Sequence, residues 1–168
     1  EHGGFYNSND ATRARIEHLE KTIMFWPYMA VVDGFQHWAY TNPKDAMNPD
    51  NCDTEWTRLW QRFQTFDDLD SSGFEDIIAT GWHNKLHLFH VPFYYVEYGM
   101  AQLGAIQVWG NALKNQKDAV EKYRYALSKG GNAKLPELFE AAGAKFAFDE
   151  EMLTYAVNLI DNQIKELN

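Results

Sequence analysis

The residues best able to do chemistry lie in the stretch Gly81–His90, which holds three of the six histidines in the chain. If the stretch is helical, His83 and His87 share one face because they are four residues apart. His90 follows three residues later, so three imidazoles could hold a metal such as zinc. In the helical zinc motif H-E-x-x-H the glutamate is the general base, whereas Asn84 stands at that position here. A hydrogen-bonded histidine pair is the alternative to a metal site.

Tyrosines follow directly, in the stretch Val91–Gly99. Tyr94 and Tyr98 are four residues apart and share a helical face, whereas Tyr95 points to the adjacent face. A phenol can donate a hydrogen bond to a developing oxyanion, and it is equally typical of a half-buried core. Glu97 lies among these aromatic residues, where a lone carboxylate is either paired or functional. From the residues alone, both roles of the tyrosines stay open.

Small residues continue the same segment, with Gly99 and Gly104 placed for the close approach of a second helix or of a ligand. A glycine inside a helix costs about 1 kcal/mol relative to alanine. We therefore expect a packing contact or a ligand contact to compensate at these positions.

Composition excludes several classes of protein. Lys and Arg number 15 against 24 Asp and Glu, and the net charge of -9 argues against a nucleic-acid partner. No stretch approaches the length of apolar sequence that a membrane span needs, and the first residues lack the features of a signal peptide. A single cysteine, Cys52, fits a reducing compartment. We expect a cytoplasmic protein with no nucleic-acid or membrane partner.

The elements that must position these residues are helices. Hydrophobic periodicity is helical nearly throughout and predicts an all-α fold, in one domain over residues 1–168. The first helix should begin after Asp10 and end at Thr41, with a kink or break at Pro27. The loops should cover 42–53 and 67–73. The other predicted helices cover about 56–63, 74–89, 93–113, 117–128, 135–142 and 149–166.

A family resemblance rests on three blocks of sequence: Pro27–Trp38, the aromatic-rich block His87–Ala105, and Leu135–Gly143. Together they resemble the C-terminal part of the M3 family of zinc metallopeptidases, in its oligoendopeptidase F branch. The resemblance covers essentially the whole chain from about residue 5 onward.

The resemblance implies an all-helical enzyme with a deep channel that admits only short peptides. In this family zinc is held by H-E-x-x-H and a downstream glutamate, and the glutamate of the motif activates a zinc-bound water. This chain contains no H-E-x-x-H. The resemblance thus implies that the zinc ligands lie N-terminal to residue 1, in a portion that is this chain's partner. We expect no metal site in this chain and no peptidase activity from the chain alone.

The resemblance also implies roles for individual residues. His87, Tyr94 and Tyr98 best match a histidine and tyrosines that hydrogen-bond the scissile carbonyl oxygen and the substrate backbone, and His90 is a rival to His87. The residues expected to contact the substrate are His90, Tyr95 and Gly99.

Two other hypotheses stay open. One is an independent helical metal-binding module that uses His83, His87 and His90 together with Glu97. The other is a non-catalytic helical interaction protein, in which all these groups belong to the core. The peptidase hypothesis differs from both in predicting a large exposed apolar surface where the missing portion docks, covered in the isolated chain by self-association.

Overall fold

A computed structural model describes residues 4–65 and 70–168 of the chain. These residues form helices and turns without any strand, which confirms the all-α prediction. None of the described helices is long and apolar enough to cross a membrane. The α-helices are α1 (Ser8–Thr41), α2 (Pro49–Phe63), α3 (Glu75–Ala79), α4 (Leu86–His90), α5 (Val96–Lys114), α6 (Gln116–Ser128), α7 (Leu135–Ala141) and α8 (Glu150–Leu167), with short 3-10 helices at Asp45–Met47 and Gly81–Asn84.

The chain divides into two compact units. The first, which we call the central unit, is Met24–Gly99, and its described residues contain all the predicted site residues. The second, which we call the terminal unit, combines residues 4–23 with Met100–Asn168. The single domain over residues 1–168 stays a prediction.

The core of the central unit is rich in aromatic side chains. The ring of Trp56, which is completely buried, meets the ring of Phe35 edge-on at 5.4 Å, and Trp82 stacks on Phe35 at 5.8 Å. The buried members of this core are Val31, Val32, Phe35, Cys52, Trp56, Leu59 and Tyr95. Tyr95 therefore joins the candidate site to the buried core.

Helix α1 continues through Pro27, so there is no break there, and the kink that was the alternative stays a prediction. A proline inside a helix costs about 3 kcal/mol through a lost hydrogen bond and a steric clash. Trp26 is only 8% exposed, and Val31 and Val32 are fully buried. Burying each such side chain is worth about 1.5–3 kcal/mol, so packing of the flanking turns outweighs the cost of the proline.

The continuous helix predicted over 74–89 is also wrong, because α3, a 3-10 helix and α4 replace it. Long-range contacts explain the interruption: the Trp82 indole donates to Asp53 Oδ1 at 2.7 Å, and a Cβ at Gly81 would lie 2.8 Å from Trp56 Nε1. Since Gly81 and Trp82 are fixed against α2, the segment bends around them.

Three further boundaries differ from the prediction. Helix α1 begins at Ser8 rather than after Asp10, because the Asn7 side chain accepts a hydrogen bond from Asp10 N at 2.9 Å. Helix α2 begins at Pro49, inside the predicted loop 42–53, because the Asn48 side chain accepts a hydrogen bond from Asp50 N at 3.1 Å and proline is well suited to the first helical turn. Helix α5 begins at Val96 rather than at Phe93. Of the predicted loop 67–73, residues 67–69 lie outside the described residues, and Gly73 adopts φ +84° in a turn.

Candidate functional site

The candidate site is built where α4 and α5 meet through a short turn in the central unit. His87 lies in α4 and Tyr98 lies in α5, eleven residues further along the chain. The His87 Nε2 atom and the Tyr98 hydroxyl are 3.2 Å apart, within hydrogen-bonding distance. The structure thus brings together two of the three residues that the resemblance nominates as catalytic.

Two further tyrosine rings, those of Tyr94 and Tyr95, pack against this pair. The Tyr95 ring meets those of His87 and Tyr98 edge-on, with centroids 5.1 and 5.4 Å apart. Tyr94 packs edge-on against Tyr98 at 5.6 Å. Tyr95 is only 7% exposed, whereas Tyr94 is 45% and Tyr98 41% exposed. Tyr95 is therefore the buried floor of the site, and Tyr94 and Tyr98 form its accessible edge.

The buried floor keeps its proton. Burial raises the pKa of the Tyr95 phenol above its usual value, and neighbouring Tyr98 raises it further. A phenol that resists ionisation presents a neutral ring to His87. Because Tyr95 is buried, the polar groups accessible to a bound molecule are those of His87 and the two exposed tyrosines.

A cation that is not among the predicted site residues lies on this floor. Lys85 Nζ lies 4.4 Å from the centroid of the Tyr28 ring and 5.7 Å from that of Tyr95, which are cation–π distances. Burial lowers the pKa of the Lys85 ammonium. The sequence did contain a signal, because Lys85 is the only Asp, Glu, Lys or Arg between Asp76 and Glu97.

The prediction that His83 and His87 share one face of a helix is wrong. His83 lies on the 3-10 helix Gly81–Asn84, exposed and with its ring against Trp82, whereas His87 and His90 lie on α4. In the parts of the chain that the structure describes, no three His, Cys, Asp or Glu side chains are grouped so as to hold a metal ion. The described residues therefore do not fit the zinc that the resemblance implies.

Gly99 is buried beneath the site, and close packing accounts for it. A Cβ at this position would lie 2.5 Å from Met29 Cε, and the Gly99 carbonyl accepts a hydrogen bond from Trp26 Nε1 at 3.4 Å. The contact compensates for the glycine in the way that the sequence predicted. The substrate contact expected of Gly99 stays a prediction.

The helical fold of the described residues agrees with the class of peptidase that the resemblance indicates. The sequence profile of peptidase family M3 matches residues 5–156. Because the match covers most of the chain, the chain belongs to this family of metallopeptidases. Comparisons with curated proteins and with solved structures gave no significant match.

Proposed function

We propose that this chain forms the substrate-side portion of an oligoendopeptidase of the M3 family, which hydrolyses peptide bonds in short peptides. In this proposal His87 and Tyr98 hydrogen-bond the scissile carbonyl oxygen. The observation that carries it is the distance of 3.2 Å between His87 Nε2 and the Tyr98 hydroxyl, at an exposed edge of a rigid core. Membership of a peptidase family supports the same reading.

The chemistry follows from where charge develops. Attack of water on a peptide carbonyl places negative charge on its oxygen, and a fixed donor there lowers the barrier. When His87 carries its proton on Nε2, that N–H and the Tyr98 O–H are both donors, and a carbonyl oxygen placed beside the pair can accept from both. In the other tautomer Tyr98 donates to Nε2 and its only proton is used. We therefore assign the Nε2-protonated form to the substrate-bound site.

The neighbouring residues take supporting roles in this proposal. Tyr94, which is 45% exposed beside Tyr98, donates to the substrate backbone. Tyr95 holds the ring of His87 from below. His87 is favoured over His90 as the histidine at the carbonyl oxygen because it is His87 that contacts Tyr98. His90, at the exposed end of α4, contacts a more distant part of the peptide.

The metal and the partner complete the proposal. Since the described residues offer no group of three metal ligands, we place the zinc ligands in an H-E-x-x-H-bearing portion outside these 168 residues. That portion and a short peptide are the proposed partners, in a reducing, cytoplasmic compartment that suits the single cysteine. In the isolated chain, self-association covers the docking surface.

The test is cleavage of a fluorogenic short peptide by the peptidase assembled from this chain and its H-E-x-x-H-bearing portion. Tyr98→Phe removes one donor, and we expect kcat to fall about 10²–10³-fold with little change in KM. Tyr125→Phe is the matched control, because Tyr125 is an exposed tyrosine on α6 of the terminal unit. An unchanged kcat for Tyr98→Phe would refute the role of this pair.

A further inference from the structure

The turn between α4 and α5 holds a strained residue. Phe93 has φ +63° and is the only non-glycine residue with a positive φ among those that the structure describes. This left-handed conformation is unfavourable for a bulky side chain and persists only where surrounding contacts enforce it. Phe93 immediately precedes Tyr94 and lies on the short path of chain from His87 to Tyr98. Its conformation therefore affects how the turn presents Tyr94 and how α5 presents Tyr98.

One turn of α1 holds Phe93 in this conformation. Gln36 Oε1 accepts a hydrogen bond from the backbone N–H of Phe93 at 2.6 Å, and Gln36 is only 2% exposed. The rings of His37 and Tyr40 pack against the Phe93 ring, with centroids 5.1 and 4.9 Å away. Both the backbone and the side chain of Phe93 are thus fixed from the same helix.

The Gln36 amide is only half used. Its Nε2 atom is buried and has no hydrogen-bond partner within the described part of the chain. An unpaired buried donor is destabilising, so overall stability does not explain why an amide stands at this position. The carbonyl half, by contrast, satisfies the one backbone N–H that the strained turn directs toward α1.

We propose that Gln36 is a positioning residue, which holds Phe93 in its left-handed conformation and thereby sets the contact between His87 and Tyr98. Its catalytic consequence rests on the proposed function, whereas its structural effect on the histidine–tyrosine pair does not. Gln36 acts through the turn and needs no contact with the substrate.

The test compares three variants of the chain. Gln36→Met keeps the length of the side chain and removes the acceptor. Gln36→Glu keeps the acceptor and breaks no hydrogen bond because Nε2 has no partner, and at this buried position we expect the carboxyl to carry a proton and stay neutral. Gln107→Met is the matched control: Gln107 is buried in the terminal unit, where its Oε1 accepts from Lys145 N at 2.7 Å.

The first readout is the ¹⁵N signal of the His87 ring in the purified chain, assigned by its loss in His87→Gln. We expect Gln36→Met to shift the His87 signal, Gln36→Glu to restore it, and Gln107→Met to leave it unchanged. If Gln36→Met does not fold, Gln36→Asn, whose carbonyl is too short to reach Phe93, takes its place. A folded variant without the acceptor but with the native His87 signal would overturn the proposal, and so would an equal shift in Gln107→Met.

The second readout is peptide cleavage in the assembled peptidase. Gln36→Met should lower kcat about 10–100-fold with little change in KM, as expected when a catalytic group is displaced by about 1 Å. Gln36→Glu should recover most of the lost activity. If Gln36→Met shifts the His87 signal and leaves kcat unchanged, the positioning role stands and the proposed function of the pair fails. If Tyr98→Phe lowers kcat while Gln36→Met alters neither readout, the function stands and this inference fails.

Discussion

Each of the two compact units buries one glutamine, and each glutamine binds backbone outside the helix that carries it. In the terminal unit, Gln107 accepts from Lys145 N at 2.7 Å and donates to Lys145 O at 3.0 Å. In the central unit, Gln36 accepts from Phe93 N and leaves its Nε2 unpaired. The Gln107 amide, both halves of which are hydrogen-bonded, anchors the loop at Lys145 to α5. The half-used amide stands beside the candidate site and holds a strained residue, which is where unsatisfied groups and strain are expected to concentrate.

The two units also differ in the kinds of side chain that they bring together. The central unit combines its aromatic core with a histidine, three tyrosines and a lysine within contact of one another. The terminal unit has an apolar cavity of about 620 Å³ between α5, α6 and α7, lined largely by alanine and other apolar side chains. The contacts between the histidine and the tyrosines lie in the central unit, and the proposed chemistry is assigned to that unit.

The largest expected effect is a difference in the free energy of unfolding between Gln36→Met and Gln107→Met. Gln107→Met leaves both the N–H and the carbonyl of Lys145 without their partner, and because these groups are partly buried each costs up to about 1–3 kcal/mol. Gln36→Met leaves only the Phe93 N–H unpaired and also removes the unpaired Nε2. Urea denaturation should therefore show a larger loss in the free energy of unfolding for Gln107→Met. A loss for Gln36→Met as large as that for Gln107→Met would break the distinction between the two amides.

A smaller effect is the pH dependence of stability that Tyr95 confers. Its pKa in the folded chain lies above the usual 10.0. The contribution of Tyr95 to stability is fully present below 10.0, where the phenol keeps its proton in both the folded and the unfolded chain. As pH rises through 10.0 toward the folded pKa, the unfolded phenol ionises first, so the free energy of unfolding falls.

The measurement is urea denaturation at about pH 8 and about pH 11, on either side of the usual tyrosine pKa. Tyr95→Phe should reduce the fall in stability between the two conditions. Tyr125→Phe, at a position 58% exposed, should leave the fall unchanged. An identical pH dependence in the wild-type chain and Tyr95→Phe would show that the floor of the site is not buried as described.

Sequence reasoning succeeded where local signals decide the structure. Helices α6, α7 and α8 begin and end within one residue of the predicted bounds. Side-chain caps mark the starts of α6 and α8: Asn115 accepts from Asp118 N, and Asp149 accepts from Met152 N. An apolar periodicity that ends at a capping residue can be recognised without tertiary information.

Sequence reasoning failed where distant residues decide the structure. The helix predicted over 74–89 is interrupted by the contact of Trp82 with Asp53, which lies 29 residues earlier. The start of α5 was misplaced because Phe93 is held by Gln36, 57 residues away. No periodicity encodes such pairs, and both are fixed by packing against α1 or α2.

The candidate site shows the same division. His87, Tyr94 and Tyr98 were nominated from the family resemblance, and the structure joins His87 to Tyr98. Lys85 and Gln36 were missed because their importance depends on the rings and the backbone that they meet in the folded chain. Of the two, Lys85 carried a signal in its isolation from other charges.

The central claim is that this chain supplies the substrate side of a metallopeptidase and that the metal ligands lie elsewhere. The most direct measurement is zinc content after dialysis, together with peptide cleavage, for the chain alone and for the chain mixed with its H-E-x-x-H-bearing portion. The account predicts no retained zinc and no cleavage for the chain alone, and both zinc and cleavage for the mixture. One zinc per isolated chain, lost on replacing His83, His87 and His90 by glutamine, would contradict it and assign the chain a metal site of its own.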